Sequence, residues 1–264
     1  MRYFINSAYG GTKYSGWQRQ INTQRTIQEI MERVFLKIFK KKITVYGCGR
    51  TDAGVHASQY VFHVNLEEAP DFDLKFRLYK NLPDDIAVFQ VIEVSADQHC
   101  RYDATARTYD YFIHWKKDPI LFRYSSFYQF PDLDFAAMRK ATQVILATQD
   151  FKPLCREPKA YKSTLCQVTR CELFVNEEQG RLRFSITSNR FLRGMIRYAV
   201  SFLLEVGRGQ MTLAAFEKIM QQEVEFDNKR PAYPNGLFLS RIEYPFVQLE
   251  NPQYLIGMLK SGLE

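Results

Sequence analysis

Apolar and polar positions alternate with a period of two in some short stretches of this chain and recur at helical spacing in others. The first half opens with a strand pattern at Tyr3–Ala8, followed by a glycine-bearing loop over Tyr9–Gln20. Apolar residues at 27, 30, 31, 34, 35 and 38 then lie on one face of a helix spanning Thr26–Phe39. Thr26 and Glu29 have the spacing of a capping box, and Lys40, Lys41 and Lys42 suit the negative end of that helix. Alternation at Ile43–Tyr46 and again at Tyr60–Val64 predicts two strands joined by a glycine-bracketed loop. A short helix at Leu74–Lys80 and a strand at Ile86–Val94 complete the order β-α-β-β-α-β.

The second half carries the same kinds of pattern without a visible sequence repeat. The spacing predicts a strand at Arg107–Trp115, a helix at Phe135–Ala147, and a hairpin of Leu165–Val175 with Arg181–Ser188 turning at Asn176–Gly180. Helices follow from Arg190 to about Val206 and over Thr212–Gln222, and a strand at Leu237–Tyr244 finishes the pattern. Two ferredoxin-like units with antiparallel sheets, an α+β architecture, account for this order, the first at 1–103 and the second at 104–264.

Composition narrows the function classes. Apolar residues at 46% and charged residues at 25% are those of a soluble globular protein, and 264 residues are ample for a buried core. The 36 Lys+Arg against 29 Asp+Glu leave a formal charge of +7, which favours a polyanionic partner without requiring one. Five cysteines, an odd number with no C-x-x-C spacing, predict neither a disulfide framework nor a zinc site. No apolar run approaches the length of a membrane span and the first residues lack a signal-peptide core, so the cytoplasm is the expected location.

The chemistry concentrates in Gly49-Arg50-Thr51-Asp52-Ala53-Gly54-Val55-His56-Ala57, which puts one carboxylate in the loop between two strands. Taken alone, such a loop more often holds an aspartate that caps its own turn. The full stretch resembles the catalytic motif of the TruA family of tRNA pseudouridine synthases. Gly16-Trp17-Gln18-Arg19-Gln20, Asn81–Val88, Arg101–Tyr109, Phe191–Arg197 and Gly236–Leu239 resemble further family segments, in the family's order.

The resemblance implies two ferredoxin-like units side by side with an active-site cleft between them, a homodimer, and a tRNA substrate modified at uridines 38 to 40 of the anticodon arm. It implies that Asp52 is the catalytic nucleophile or base, Arg50 the base-flipping arginine, Tyr109 the residue that stacks on the uracil, and Arg197 the basic partner of Asp52. It also places Trp17 and Gln18 in a loop bordering the RNA. Attack at C1′ and removal of the C2′ proton both remain open as routes. From spacing, Arg190, Arg193 and Arg197 form one stripe of the predicted helix, with Arg190 or Arg193 left for phosphates or simply solvated. The isomerisation calls for no cofactor or metal, and the chain shows no P-loop, dinucleotide fingerprint or His/Cys ligand cluster. Departures from the family pattern fall at Gly10, Gln149–Cys155, Ser201 and Lys229–Gly236, where they bear on the target nucleotide. The rival readings are an RNA-binding module that has lost catalysis and a pseudouridine synthase acting on another RNA.

Overall fold

Local signals set the first helix. In the computed structural model, which describes residues 1–130, 132–226, 230–252 and 254–263, β1 (Arg2–Tyr9) leads to α1 (Ile27–Phe39). The Thr26 hydroxyl accepts the Glu29 N–H at 3.3 Å, and Lys40 ends the helix in the left-handed region at φ 56. The helix buries Ile27, Met31, Val34 and Phe35.

Next come β2 (Tyr46–Gly47), β3 (His56–Asn65), α2 (Leu74–Asn81) and β4 (Ile86–Val94). Strand β1 pairs antiparallel with both β3 and β4, and β2 pairs with β3 at Tyr46↔His63 and Gly47↔Phe62. The strand predicted at Ile43–Tyr46 is therefore mostly absent. Val45 explains why: its N–H donates to Glu32 and its carbonyl accepts from Gln28, so α1 side chains take the groups a ladder would need.

The remaining elements are β5 (Ala106–His114), β6 (Ser126–Phe127), α3 (Phe135–Ala147), β7 (Val168–Asn176), β8 (Arg181–Ser188), α4 (Met195–Gly207), α5 (Leu213–Met220), β9 (Leu237–Glu243) and α6 (Tyr254–Lys260). Strand β8 lies antiparallel between β5 and β7, and β6 runs parallel beside β5. The chain divides into two compact units, Met1–Thr105 with Phe238–Ile256 and Ala106–Leu237 with Gly257–Glu264. The last strand, assigned from sequence to the second unit, thus lies from Phe238 onward with the first. Its Phe238 and Leu239 pair parallel with His56 and Ala57 of β3.

The helix expected from Arg190 begins instead at Met195. Gly194 takes φ 77 at its N-cap, a left-handed conformation that interrupts the helix between Arg193 and Arg197. The Arg190–Arg193–Arg197 stripe therefore does not exist as one helical face.

A buried carboxylate that the sequence reading did not single out is Asp110 in β5. Arg183 lies 3.4 Å from it and Lys260 of α6 3.1 Å, two cations for one buried anion. All five cysteines are free and buried, and among the described residues no helix is long and apolar enough to cross a membrane. The architecture is α+β, with ladders that are largely antiparallel.

Candidate active site

The Asp52 loop connects β2 to β3 and is tied down along its length. Tyr60 Oη donates to Gly49 O at 2.6 Å, and Thr51 Oγ1 lies 2.8 Å from Tyr9 Oη. Thr51 O accepts the Trp17 N–H, and Asp52 O accepts the Val55 N–H at 3.2 Å. The Gly54 N–H reaches Tyr14 O, also at 3.2 Å. Arg50 and Ala53 remain exposed between these anchors, and Asp52 is half-buried. A carboxylate on such a frame has little conformational freedom to lose when it meets a substrate.

The frame depends on a second loop, 10–17, packed beneath the first. Gly11 donates its N–H to His56 Nδ1 at 3.0 Å. This bond places the proton of a neutral His56 on Nε2, and the ring is buried and stacked on Phe238 at 4.6 Å. The first turn of α1 grips the second loop in turn, Ile27 N–H donating to Gly16 O and Gln28 N–H to Trp17 O. A Cβ on Gly11 would sit 1.9 Å from Val55 O, a main-chain atom that cannot rotate away. Gly11→Ala is therefore expected to destabilise the fold by about 3 kcal/mol, the upper range for overpacking. Gly49, where a Cβ meets nothing within 4 Å, is the control, and Gly49→Ala should shift a urea midpoint little. Equal midpoints for the two variants would refute the close-packed loop pair.

Trp17 does not serve an exposed surface. It is 2% exposed and stacks on Tyr60 with ring centroids 3.9 Å apart, so its bulk is core, whereas neighbouring Gln18 is exposed. The expected RNA contact at Trp17 is corrected on that ground.

In the second unit Tyr109 is buried on β5, its ring edge-on to Phe191 at 5.0 Å. Arg197 lies in the first turn of α4, and its Nε donates to Ala232 O at 2.7 Å. Arg193 forms an exposed pair with Glu157 at 2.9 Å. Arg190 is exposed. Among the departures from the family pattern, the segment 149–155 is anchored: Asp150 accepts the Lys152 N–H, and Phe151, Leu154 and Cys155 are buried. Gly10 donates its N–H to Asp85 O, Ser201 is half-buried in α4, and Lys229 lies outside the described residues.

The fold also makes a His/Cys cluster that sequence spacing concealed. His63, His99 and Cys100 bring one ligand-type atom each within 4.8 Å of one another. Hydrogen bonds account for these atoms. Cys100 Sγ lies 3.1 Å from His63 Nδ1 and donates to Tyr46 O at 3.0 Å. The Arg101 N–H donates to His99 Nδ1 at 3.0 Å, leaving the proton of a neutral His99 on Nε2, where it opposes metal ligation. Burial pushes the His63 pKa down to about 4, so the ring is neutral near pH 7.

The sequence matches the family described as tRNA pseudouridine synthase over residues 5–103 and 141–245, well over half of the chain. The chain belongs to this family, the TruA family. It is 38% identical over 268 residues to tRNA pseudouridine synthase A of Bacteroides thetaiotaomicron, covering 100% of this chain and 99% of that one. The enzyme of the same name from Bacteroides fragilis is 40% identical over 246 residues, 92% of this chain and 96% of the other. That from Porphyromonas gingivalis is 36% identical over 247 residues, covering 92% and 97%. Membership makes the protein an RNA pseudouridine synthase, an isomerase. Arg50, Asp52 and Arg197 fall inside the matched stretches, and Tyr109 falls between them, within the span of the full-length relative.

Sequence reasoning missed Tyr9 and Gly11, which hold the Asp52 loop, and Ala232, which holds the side chain of Arg197. Their partners are remote along the chain, so no periodicity or spacing marks them.

Proposed function

We propose that this protein converts uridine to pseudouridine in tRNA, within positions 38 to 40 of the anticodon arm, with Asp52 as the catalytic nucleophile or base. The reaction breaks the N1–C1′ bond, turns the uracil, and joins C5 to C1′, with the C5 proton released to the medium and one proton returned to N1. The observation that carries the reading is a half-buried carboxylate on a loop tethered at Gly49, Thr51, Asp52 O and Gly54. Family membership supplies the class of reaction, and the relatives named tRNA pseudouridine synthase A supply the substrate.

In this reading Arg197 is the basic partner of Asp52. Arg50 reaches from the same loop into RNA, holding the target nucleotide out of its stack. Tyr109 offers its ring to the uracil, and Gln18 and Arg190 are exposed groups suited to the RNA backbone. Two ferredoxin-like units, a homodimer and a cytoplasmic location belong to the same proposal. The pairing order β4-β1-β3-β2 in the first unit supports the ferredoxin-like assignment there.

The test is to incubate the protein with unmodified tRNA and map pseudouridine at nucleotide resolution. Product at 38 to 40 is expected. Product only elsewhere, or only in another RNA, overturns the target. Binding without product favours an RNA-binding module that has lost catalysis. Activity is further expected to survive dialysis against EDTA, since the isomerisation is redox-neutral and the His63–His99–Cys100 atoms are already hydrogen-bonded. A loss restored by zinc would refute that reading of the cluster.

A further inference from the structure

Tyr111 lies two residues beyond Tyr109 on β5 and is fully buried, yet the roles assigned above leave it without one. Its hydroxyl donates to Tyr233 O at 2.7 Å, sharing its single proton with Ser126 Oγ at 2.8 Å. Tyr128 Oη lies 3.4 Å from it and accepts the Tyr233 N–H at 3.1 Å. The two phenols therefore grip both main-chain polar groups of Tyr233. The preceding residue, Ala232, is joined to Arg197 twice: its carbonyl accepts from Arg197 Nε at 2.7 Å, and its N–H donates to Arg197 O at 3.0 Å.

This segment lies outside any strand pairing, and the Tyr233 side chain is 59% exposed and anchors little by burial. Asn235 extends the same tether, its Oδ1 accepting from Ser126 Oγ at 3.1 Å and its Nδ2 donating to Phe122 O at 2.7 Å. Fixing Nε of an arginine fixes the plane of its guanidinium, and so the directions in which its two terminal nitrogens donate. Burial raises the pKa of both phenols, so both keep their protons at neutral pH.

We propose that Tyr111 and Tyr128 are positioning residues for the isomerisation: their hydroxyls clamp Tyr233 and, through Ala232, aim the guanidinium of Arg197. The inference rests on the reading of Arg197 as a site residue. It assigns the two tyrosines no contact with substrate. What they supply is preorganisation, which acts on the chemical step and leaves RNA affinity alone.

Tyr→Phe removes only the hydroxyl and keeps the ring that fills the core. The decisive measurement is the single-turnover rate of pseudouridine formation, beside the Kd for tRNA, for Tyr111→Phe, Tyr128→Phe, Arg197→Met and the Tyr111→Phe/Arg197→Met double variant. Each Phe variant should lose about five- to tenfold in rate, the scale of one neutral hydrogen bond, with Kd unchanged. In the Arg197→Met background Tyr111→Phe should cost nothing further, because the group it aims is gone. Wild-type rates for both Phe variants, or a full additional loss in the double variant, overturn the clamp. Arg197→Met as fast as wild type overturns the reading of Arg197, and the clamp with it.

Discussion

Asp52→Asn is expected to lower the single-turnover rate of pseudouridine formation by about four orders of magnitude or more, the scale on which enzymes lose rate without their nucleophile. The amide is nearly isosteric with the carboxylate but can neither form a glycosyl ester at C1′ nor take the C2′ proton. The tethers at Gly49, Thr51, Asp52 O and Gly54 run through main-chain atoms or through the side chains of Tyr9, Tyr60 and Thr51, all unchanged by the substitution. The loop should therefore keep its shape, and tRNA binding should persist. A filter-binding Kd close to wild type with no product would match the prediction. Turnover within about a hundredfold of wild type would remove Asp52 from the chemistry, because a group acting only through positioning loses rate on that smaller scale.

Arg50→Ala and Arg197→Met should each lower activity by about a hundredfold, the range of a few kcal/mol in a barrier, but through different steps. A stacked base must be swung out before it can react, at a cost of a few kcal/mol. If exposed Arg50 holds the flipped state, the loss in Arg50→Ala should shrink on an RNA whose target uridine is already unstacked. Lys at position 50 should rescue poorly, lacking the planar guanidinium that can stack among bases. If Arg197 acts in the chemical step as the cation beside Asp52, the loss in Arg197→Met should be the same on stacked and unstacked substrates. Equal losses for both variants on both substrates would show that the two arginines do not divide the work in this way.

Both predictions concern residues that the sequence makes visible, for a reason that holds along the chain. The Asp52 motif is nine consecutive residues and one of its bonds, Val55 N–H to Asp52 O, closes within it, although the remaining tethers come from remote residues. Helix α1 is legible for the same reason, since Thr26 caps the Glu29 N–H three residues on and its apolar face repeats at helical spacing. Helix α3 likewise runs over the predicted Phe135–Ala147.

Other features depended on partners far along the chain, which no window of neighbouring residues contains. Trp17 sits in a polar, glycine-bearing loop and reads as exposed; rings remote in the chain, Tyr60 above all with Tyr9 and Phe62, make it core. Residues 43–45 have strand alternation, but Gln28 and Glu32 of α1 claim the backbone of Val45 before a ladder can. The three arginines at 190, 193 and 197 have helical spacing, and a single left-handed glycine between the last two breaks the stripe. His63 and His99 meet because β3 and the segment after β4 lie together in the first unit.

The sequence by itself thus determined the family, the candidate catalytic carboxylate and the capped helices, because each is written in short runs of consecutive residues. The tertiary structure decided which aromatic rings are core, where α4 begins, and what holds Arg197 in place. Those outcomes depend on backbone and side-chain groups competing for hydrogen-bond partners across the fold, and the winner of such a competition is set by packing.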